Sequence, residues 1–129
     1  MSPEMRSPVP MEAYFEIDPE TGSGRIYLAE NEDLYTAPDT KSLALELLER
    51  EDIRSIIFDH SRSTYIDSST QGVFIKTLRK AKDLGKEVYL SNIPQELTKL
   101  YEITGLYYVF GVVDDDGNPI ENFWQPPST

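Results

Sequence analysis

The chain has 129 residues, and its 12 Lys and Arg set against 23 Asp and Glu give a formal net charge of −11 at pH 7. This length suits one domain, and a hydrophobic fraction of 39% is enough for one packed core. The absence of cysteine excludes disulfides, a thiol nucleophile and cysteine-ligated metal centres. The negative charge disfavours nucleic acid and anionic lipid surfaces as partners, and no apolar run approaches the roughly 18 residues that membrane insertion needs.

The first residues predict a flexible leader followed by a β-hairpin. Residues 1–12 hold three prolines and lack the apolar core of a secretory signal, so we expect a cytoplasmic protein. Two short aromatic and β-branched segments, Ala13–Ile17 and Arg25–Ala29, flank the turn-forming residues Pro19–Gly24. This pattern is typical of two antiparallel strands joined by a turn.

Signals for a helix and a strand follow the hairpin. Thr36, with Pro38 and Asp39 after it, predicts a helix start at which Thr36 is the cap, and an apolar stripe continues this helix to Leu48. Ser55–Asp59 is a compact apolar run bounded by polar residues. Such a run predicts a strand that is covered on both faces, and Thr64–Ile66 is expected to extend or follow it.

The second half of the chain continues the alternation. Residues 68–84 have apolar positions at helical spacing, and Gly85 follows as the terminator. A strand is predicted at Glu87–Leu90, a helix between Pro94 and Gly105, and a last strand at Tyr107–Val113. The order predicts an α/β fold with a mixed, mostly parallel β-sheet and helices packed on it.

We assign a single domain to residues 13–113 and a C-terminal turn and tail to residues 114–129. The acidic run Asp114–Asp116 is interpreted as a solvated turn in preference to a cation site, so neither a metal nor another cofactor is assigned. Phe123 and Trp124 either cover the sheet or contact a partner, and packing is the simpler explanation.

The junction between strand and helix at residues 65–71 is the candidate functional site, because functional loops of α/β folds gather where strands lead into helices. Ser68 and Gln71 fit a capping box, in which the Ser68 hydroxyl satisfies a helix N–H. The alternative is a phosphorylation site, where a charge of roughly −1.5 to −2 meets the positive end of the helix dipole. A hydrolase triad of Ser68, His60 and Asp67 is a third possibility, but no oxyanion hole is identifiable and a solvated loop is the ordinary place for His60.

The chain as a whole resembles the STAS domains, and among them the bacterial anti-sigma factor antagonists. The resemblance covers roughly residues 13–113 and depends on the order and spacing of five segments: Glu32–Ala37, Ile56–Ser61, Tyr65–Ser69, Lys86–Leu90 and Leu100–Leu106. It implies a small domain that binds a serine kinase acting as an anti-sigma factor, so that the kinase releases its sigma factor. It also implies that this kinase phosphorylates Ser68 and that a serine phosphatase removes the phosphate.

The resemblance further implies which residues meet the kinase. Asp33 and Tyr35 match a region that contacts the kinase in the family, and the alternative is that Asp33 is a surface acid and Tyr35 a partly buried core residue. Asp67 is the acidic neighbour of the phosphoacceptor. Ser69 and Thr70 are contact residues or alternative acceptors.

The chain departs from the family pattern in two places. Thr70 and Gln71 stand where Gly and Leu are usual, and the residues after 113 offer a turn, an aromatic pair and prolines in place of the usual amphipathic helix. These departures keep a second function open, a STAS scaffold that is not phosphorylated, such as a stressosome-like component or an accessory subunit of a transporter. No enzymatic activity is predicted, and the sequence does not decide the oligomeric state.

Overall fold

The computed structural model describes residues 12–124, so that residues 1–11 of the predicted leader and residues 125–129 of the predicted tail lie outside the described residues. The elements are β1 (Tyr14–Asp18), β2 (Ser23–Tyr27), β3 (Asn31–Glu32), α1 (Ala37–Leu48), β4 (Ser55–Asp59), β5 (Tyr65–Ile66), α2 (Ser68–Asp83), β6 (Glu87–Ser91), α3 (Gln95–Thr104), a 3-10 turn (Leu106–Tyr108) and β7 (Gly111–Val113). The predicted alternation of strands and helices is confirmed. β5 follows β4 within the predicted extended segment at residues 64–66, and the short strand β3 was not predicted. None of the helices in this described part has the length and apolarity to cross a bilayer.

The main sheet has five strands in the order β1-β2-β4-β6-β7. β1 and β2 are antiparallel and form the predicted hairpin, whereas the β2–β4, β4–β6 and β6–β7 pairs are parallel. The predicted mixed, mostly parallel sheet is therefore confirmed. β3 and β5 pair in parallel as a separate two-stranded sheet.

The core lies between the sheet and the helices. Ile26, Phe58, Leu90 and Val112 stand side by side on neighbouring strands, and each is at most 4% exposed. All five residues of Ser55–Asp59 are buried, as predicted for a strand that is covered on both faces.

Close contact between α1 and the sheet depends on a small residue in β2. A Cβ atom built at Gly24 would lie 2.9 Å from Cδ1 of Leu47 on α1. Real Cβ atoms essentially never come so near another carbon, so a larger residue at position 24 would push α1 away from the sheet.

The predicted last strand is wrong for residues 107–110. Gly105 adopts a left-handed conformation with φ of 85°, which ends α3 as predicted but leads directly into the 3-10 turn. The rings of Tyr107 and Tyr108 then lie 4.0 Å apart instead of alternating between the faces of a sheet. The aromatic residues favour a strand locally, but the turn at Gly105 delays pairing until Gly111.

Residues 114–124 fold back on the domain. The Asp114 carboxylate accepts hydrogen bonds of 2.9 Å from the backbone N–H groups of Asp116 and Asn118, which fixes the predicted turn. The Trp124 Nε1–H donates to the Phe110 carbonyl oxygen (2.9 Å). Phe123 and Trp124 are partly buried against the core, as the packing interpretation predicts.

Candidate functional site

The two-stranded sheet brings the starts of α1 and α2 together. β3 and β5 run in parallel, and the Asp67 N–H continues the pairing by donating to the Glu32 carbonyl oxygen (2.9 Å). Each of these strands leads directly into a helix start. Residues 33–36 and residues 67–69 therefore form one continuous part of the surface.

Asp67 caps helix α2. Its backbone is extended (φ −99°, ψ −177°), and its carboxylate accepts from the N–H groups of Ser69 (2.8 Å) and Thr70 (3.3 Å). Ser68 is already the first helical residue, and the Gln71 side chain is buried. The predicted capping box with Ser68 as the cap is therefore wrong, because the carboxylate one residue earlier takes that place.

The three hydroxyl residues at the start of α2 differ in exposure. Ser68 is exposed, Ser69 is half-buried and Thr70 is fully buried. The Thr70 hydroxyl points inward and donates to Oε1 of Glu32 (3.3 Å). This placement does not fit the predicted role of Thr70 as a contact residue or alternative acceptor, since a partner on the surface does not reach that hydroxyl.

Asp33 and Tyr35 lie on the turn before α1. The Asp33 carboxylate accepts from the N–H groups of Tyr35 (2.9 Å) and Thr36 (3.1 Å). Tyr35 is 85% exposed, so the alternative that it is a partly buried core residue is wrong. The predicted side-chain cap by Thr36 is wrong as well, because its hydroxyl accepts from the Asp33 N–H (2.8 Å) and bonds no N–H of the helix.

Large apolar side chains surround the polar residues of this surface. Leu34 is 64% exposed and Tyr65 is 52% exposed, and both belong to the segments that the small sheet joins. We call this surface the acceptor face, after the predicted phosphoacceptor Ser68. Its residues are Asp33, Leu34, Tyr35, Tyr65, Asp67, Ser68 and Ser69. Exposed apolar and aromatic residues beside charged ones are typical of a surface that binds a protein.

A buried carboxylate that sequence analysis missed lies beneath the acceptor face. Glu32 is fully buried, and burial raises the pKa of its carboxyl group, although its hydrogen bonds act in the opposite direction. The donors are the Ala29 N–H (2.7 Å) and the hydroxyls of Thr36 (3.2 Å), Thr40 (2.9 Å) and Thr70 (3.3 Å). Glu32 stands in the polar run Glu30–Asp33, which indicates a surface loop, so no local signal could have marked it as buried.

His60 is fully buried, so the expectation that it lies in a solvated loop is wrong. Its Nδ1 is 3.1 Å from the Phe58 carbonyl oxygen and 3.2 Å from that of Ser91, and carbonyl oxygens only accept. Nδ1 therefore carries the proton, and Nε2 accepts from the Tyr101 hydroxyl (2.8 Å). Burial lowers the pKa of His60 to about 4, which makes the ring neutral at pH 7.

These contacts do not support the hydrolase interpretation. Both ring nitrogens of His60 are engaged by groups other than Ser68, and the Asp67 carboxylate bonds backbone N–H groups of α2. A triad needs a histidine that bonds the nucleophile on one side and a carboxylate on the other. The structure does not bring Ser68, His60 and Asp67 together in that way.

Comparison with known proteins shows the family to which this chain belongs. A family model for the STAS domain matches residues 18–118. The chain is 30% identical over 92 residues to the anti-sigma-B factor antagonist of Listeria monocytogenes, which covers 71% of this chain and 80% of that protein. It is 29% identical over 89 residues to the anti-sigma-B factor antagonist of Staphylococcus aureus, which covers 69% of this chain and 80% of that protein.

Solved structures show the same fold. The unphosphorylated form of the anti-sigma factor antagonist SpoIIAA has a TM-score of 0.67 at 17% identity, over 80% of this chain and 90% of that one. The phosphorylated form of the Bacillus protein SpoIIAA has a TM-score of 0.63 at 17% identity, over 81% of this chain and 93% of that one. The chain therefore belongs to the STAS domain family and is of the anti-sigma factor antagonist type.

Proposed function

We propose that this protein binds an anti-sigma factor that is also a serine kinase, and that the kinase ends the binding by phosphorylating Ser68. The relatives are named anti-sigma-B factor antagonists, and these names support an anti-sigma factor as the class of partner. In this proposal the protein is a non-enzymatic regulator in the bacterial cytoplasm, and a serine phosphatase restores it. The exposed hydroxyl of Ser68 in the first turn of α2, next to the start of α1, is the observation on which the proposal depends.

The local geometry allows Ser68 to be modified without loss of the fold. The helix cap comes from Asp67, whose carboxylate bonds the Ser69 and Thr70 N–H groups. Ser68 is exposed, so a phosphate on its hydroxyl displaces no core side chain. The positive end of the α2 dipole stabilises the added charge.

The same modification acts strongly on a bound partner. A phosphate adds roughly −1.5 to −2 charges beside Asp67 and brings bulk and desolvation cost into an interface. A loss of about 3 kcal/mol in binding free energy weakens an affinity more than a hundredfold. That SpoIIAA has been solved in a phosphorylated and an unphosphorylated form supports a switch of this kind.

Other residues of the acceptor face supply the contacts in this proposal. Asp33, Asp67 and Ser69 are the polar contacts around the acceptor, and Tyr35, at 85% exposure, is the aromatic anchor. Large aromatic side chains that become buried on binding contribute much of an interface's affinity.

The first experiment is phosphopeptide mapping of the protein recovered from growing and stressed cells, followed by phosphorylation in vitro. Candidate kinases are the anti-sigma serine kinases of the same genome, supplied with ATP. We expect one phosphate on the wild type, none on Ser68→Ala and one on the matched control Ser69→Ala. Ser68→Asp should bind the kinase at least tenfold more weakly than the wild type, in line with about 1.4 kcal/mol or more.

Two results would contradict the proposal. One is a well-detected Ser68 peptide that carries no phosphate under any condition. The other is equal kinase binding by the wild type, Ser68→Ala and Ser68→Asp. Stable partners of an unphosphorylated protein would then favour the scaffold function.

A further inference from the structure

Beneath the acceptor face, one side chain joins the starts of the two helices. The Glu32 carboxylate accepts from Thr40 on α1 at 2.9 Å and from Thr70 on α2 at 3.3 Å. The Glu32 backbone carbonyl also accepts from the Asp67 N–H. Glu32 is therefore hydrogen-bonded to both helix starts, through its side chain and its main chain.

Burial makes the hydrogen-bond geometry around the Glu32 carboxylate specific. Glu32, Thr40 and Thr70 are each fully buried. Buried polar groups are costly unless their hydrogen bonds are made, and a hydrogen bond fixes distance and direction more narrowly than apolar contact does. A shift of α2 against α1 would break hydrogen bonds between groups that are buried from solvent.

We propose that Glu32 and Thr70 are positioning residues, which hold the start of α2 in register with the start of α1 so that Ser68 and Tyr35 meet the same partner. This inference rests on the proposed function of the acceptor face. It assigns Thr70 an indirect role through Glu32 in place of the direct contact that the sequence predicted. Neither residue touches the partner or the transferred phosphate.

The test uses the same substitution at two places on one helix. Thr70 and Thr77 are both buried on α2, but the Thr77 hydroxyl donates only to the Val73 carbonyl of its own helix (2.7 Å). Thr70→Val removes the bond to Glu32, whereas Thr77→Val is the matched control. Thr70→Ser keeps a hydroxyl and serves as the rescue variant.

The first measurement needs no kinase. Amide chemical shifts of the ¹⁵N-labelled protein report on Tyr35 and Thr36, which lie at the start of α1. We expect these amides to shift in Thr70→Val, to return in Thr70→Ser and to stay unchanged in Thr77→Val. Unchanged amides at the start of α1 in Thr70→Val would overturn the inference.

The second measurement uses the kinase that phosphorylates the wild type. Thr70→Val should raise the KM for phosphorylation about fivefold, the size expected for one lost hydrogen bond, with kcat within about twofold. Thr70→Ser should restore KM, and Thr77→Val should leave it unchanged. Equal effects of Thr70→Val and Thr77→Val would show general destabilisation and overturn the inference.

The two measurements separate this inference from the proposed function. If no kinase phosphorylates the wild type, the proposed function fails, and the positioning of Ser68 for that partner fails with it. The amide shifts then still decide whether Glu32 couples the two helices. If the wild type is phosphorylated and KM does not change in Thr70→Val, the positioning inference alone fails.

Discussion

Two buried carboxylates, Asp59 and Glu32, are stabilised in opposite ways. Asp59 is 2% exposed and pairs with the Arg25 guanidinium at 2.6 Å. Burial alone would raise the pKa of Asp59, but hydrogen bonds from Ser61, Arg25 and Asn92 outweigh it and lower the pKa. The donors to Glu32 are neutral, and burial keeps its pKa raised.

The Asp59 ion pair mainly stabilises the fold, whereas the hydrogen bonds of Glu32 mainly set the orientation of two helix starts. Arg25 also donates to the carbonyl oxygens of Asp114 (3.2 Å) and Asp115 (3.1 Å), so the Asp59 pair fixes the C-terminal turn to the sheet. A full ion pair with further hydrogen bonds holds one arrangement. The Glu32 carboxyl group has only neutral donors among the described residues, namely hydroxyls and an N–H, so its hydrogen bonds contribute orientation at some cost in stability.

The largest expected effect comes from removing the cation of the buried pair. Arg25→Ala leaves Asp59 buried without its partner, and we expect the free energy of unfolding to fall by about 3 to 5 kcal/mol. The measurement is urea unfolding followed by circular dichroism. The matched control is Arg50→Ala, because the Arg50–Asp52 pair of 2.8 Å is exposed on both sides and should matter little. Similar losses in the two variants would remove the distinction between buried and exposed pairs.

A smaller effect is expected from protonation of the buried His60 ring. Its pKa of about 4 lies below the usual 6.5, so the folded state binds fewer protons than the unfolded state between these values. The contribution of the neutral His60 ring to the free energy of unfolding is therefore fully present above pH 6.5. It falls by about 3 kcal/mol as the pH drops to about 4.

The chain has a single histidine, so one imidazole resonance reports its titration without assignment. NMR in buffer should give a pKa near 4, and NMR in concentrated urea should give a value near 6.5. A native value close to 6.5 would contradict the buried, neutral ring.

The two carboxylates should differ in the sign of their effect on how stability changes with pH. The raised pKa of Glu32 means that the folded state binds a proton more readily than the unfolded state. The wild type should therefore gain stability relative to Glu32→Gln as the pH falls through this raised pKa. The lowered pKa of Asp59 predicts the reverse, so the wild type should lose stability relative to Asp59→Asn as the pH falls below 3.8.

Both comparisons are made by urea unfolding from neutral pH down to the lowest pH at which the native state persists. The contribution of His60 cancels in each difference between the wild type and a variant. If the stability difference between the wild type and the variant changed with pH in the same direction for both residues, the opposite environments of Glu32 and Asp59 would be contradicted.

The sequence predicted the main elements because their signals are local. The apolar positions of residues 68–84 repeat at helical spacing, and the apolar run at residues 55–59 is bounded by polar residues. Both elements appear with nearly the predicted bounds. Glycines at positions 85 and 105 were correctly assigned to helix ends, where both have positive φ.

The details of the site were harder to predict because they depend on contacts between distant residues. The pairing of β3 with β5 involves two residues on each strand, too few for a sequence pattern, yet it buries Glu32 and joins the helix starts. His60 is buried by Phe74 and Tyr101, which lie on two later helices. Local polarity indicated exposure for both Glu32 and His60, and tertiary packing overrode it.

The smallest expected effect concerns a third carboxylate, Asp67, which is half-buried and bonds only the N–H groups at the start of α2. Asp67→Ala removes the cap and should lower the free energy of unfolding by about 1 kcal/mol, whereas Ser68→Ala should change it very little. Urea unfolding of both variants, with Asp67→Asn as the variant that keeps a capping oxygen, measures the difference. If Ser68→Ala were as costly as Asp67→Ala, the Ser68 hydroxyl would be holding the helix, and a phosphate on it would damage the fold. Stability that depends on Asp67 and not on Ser68 leaves the acceptor hydroxyl available for a switch.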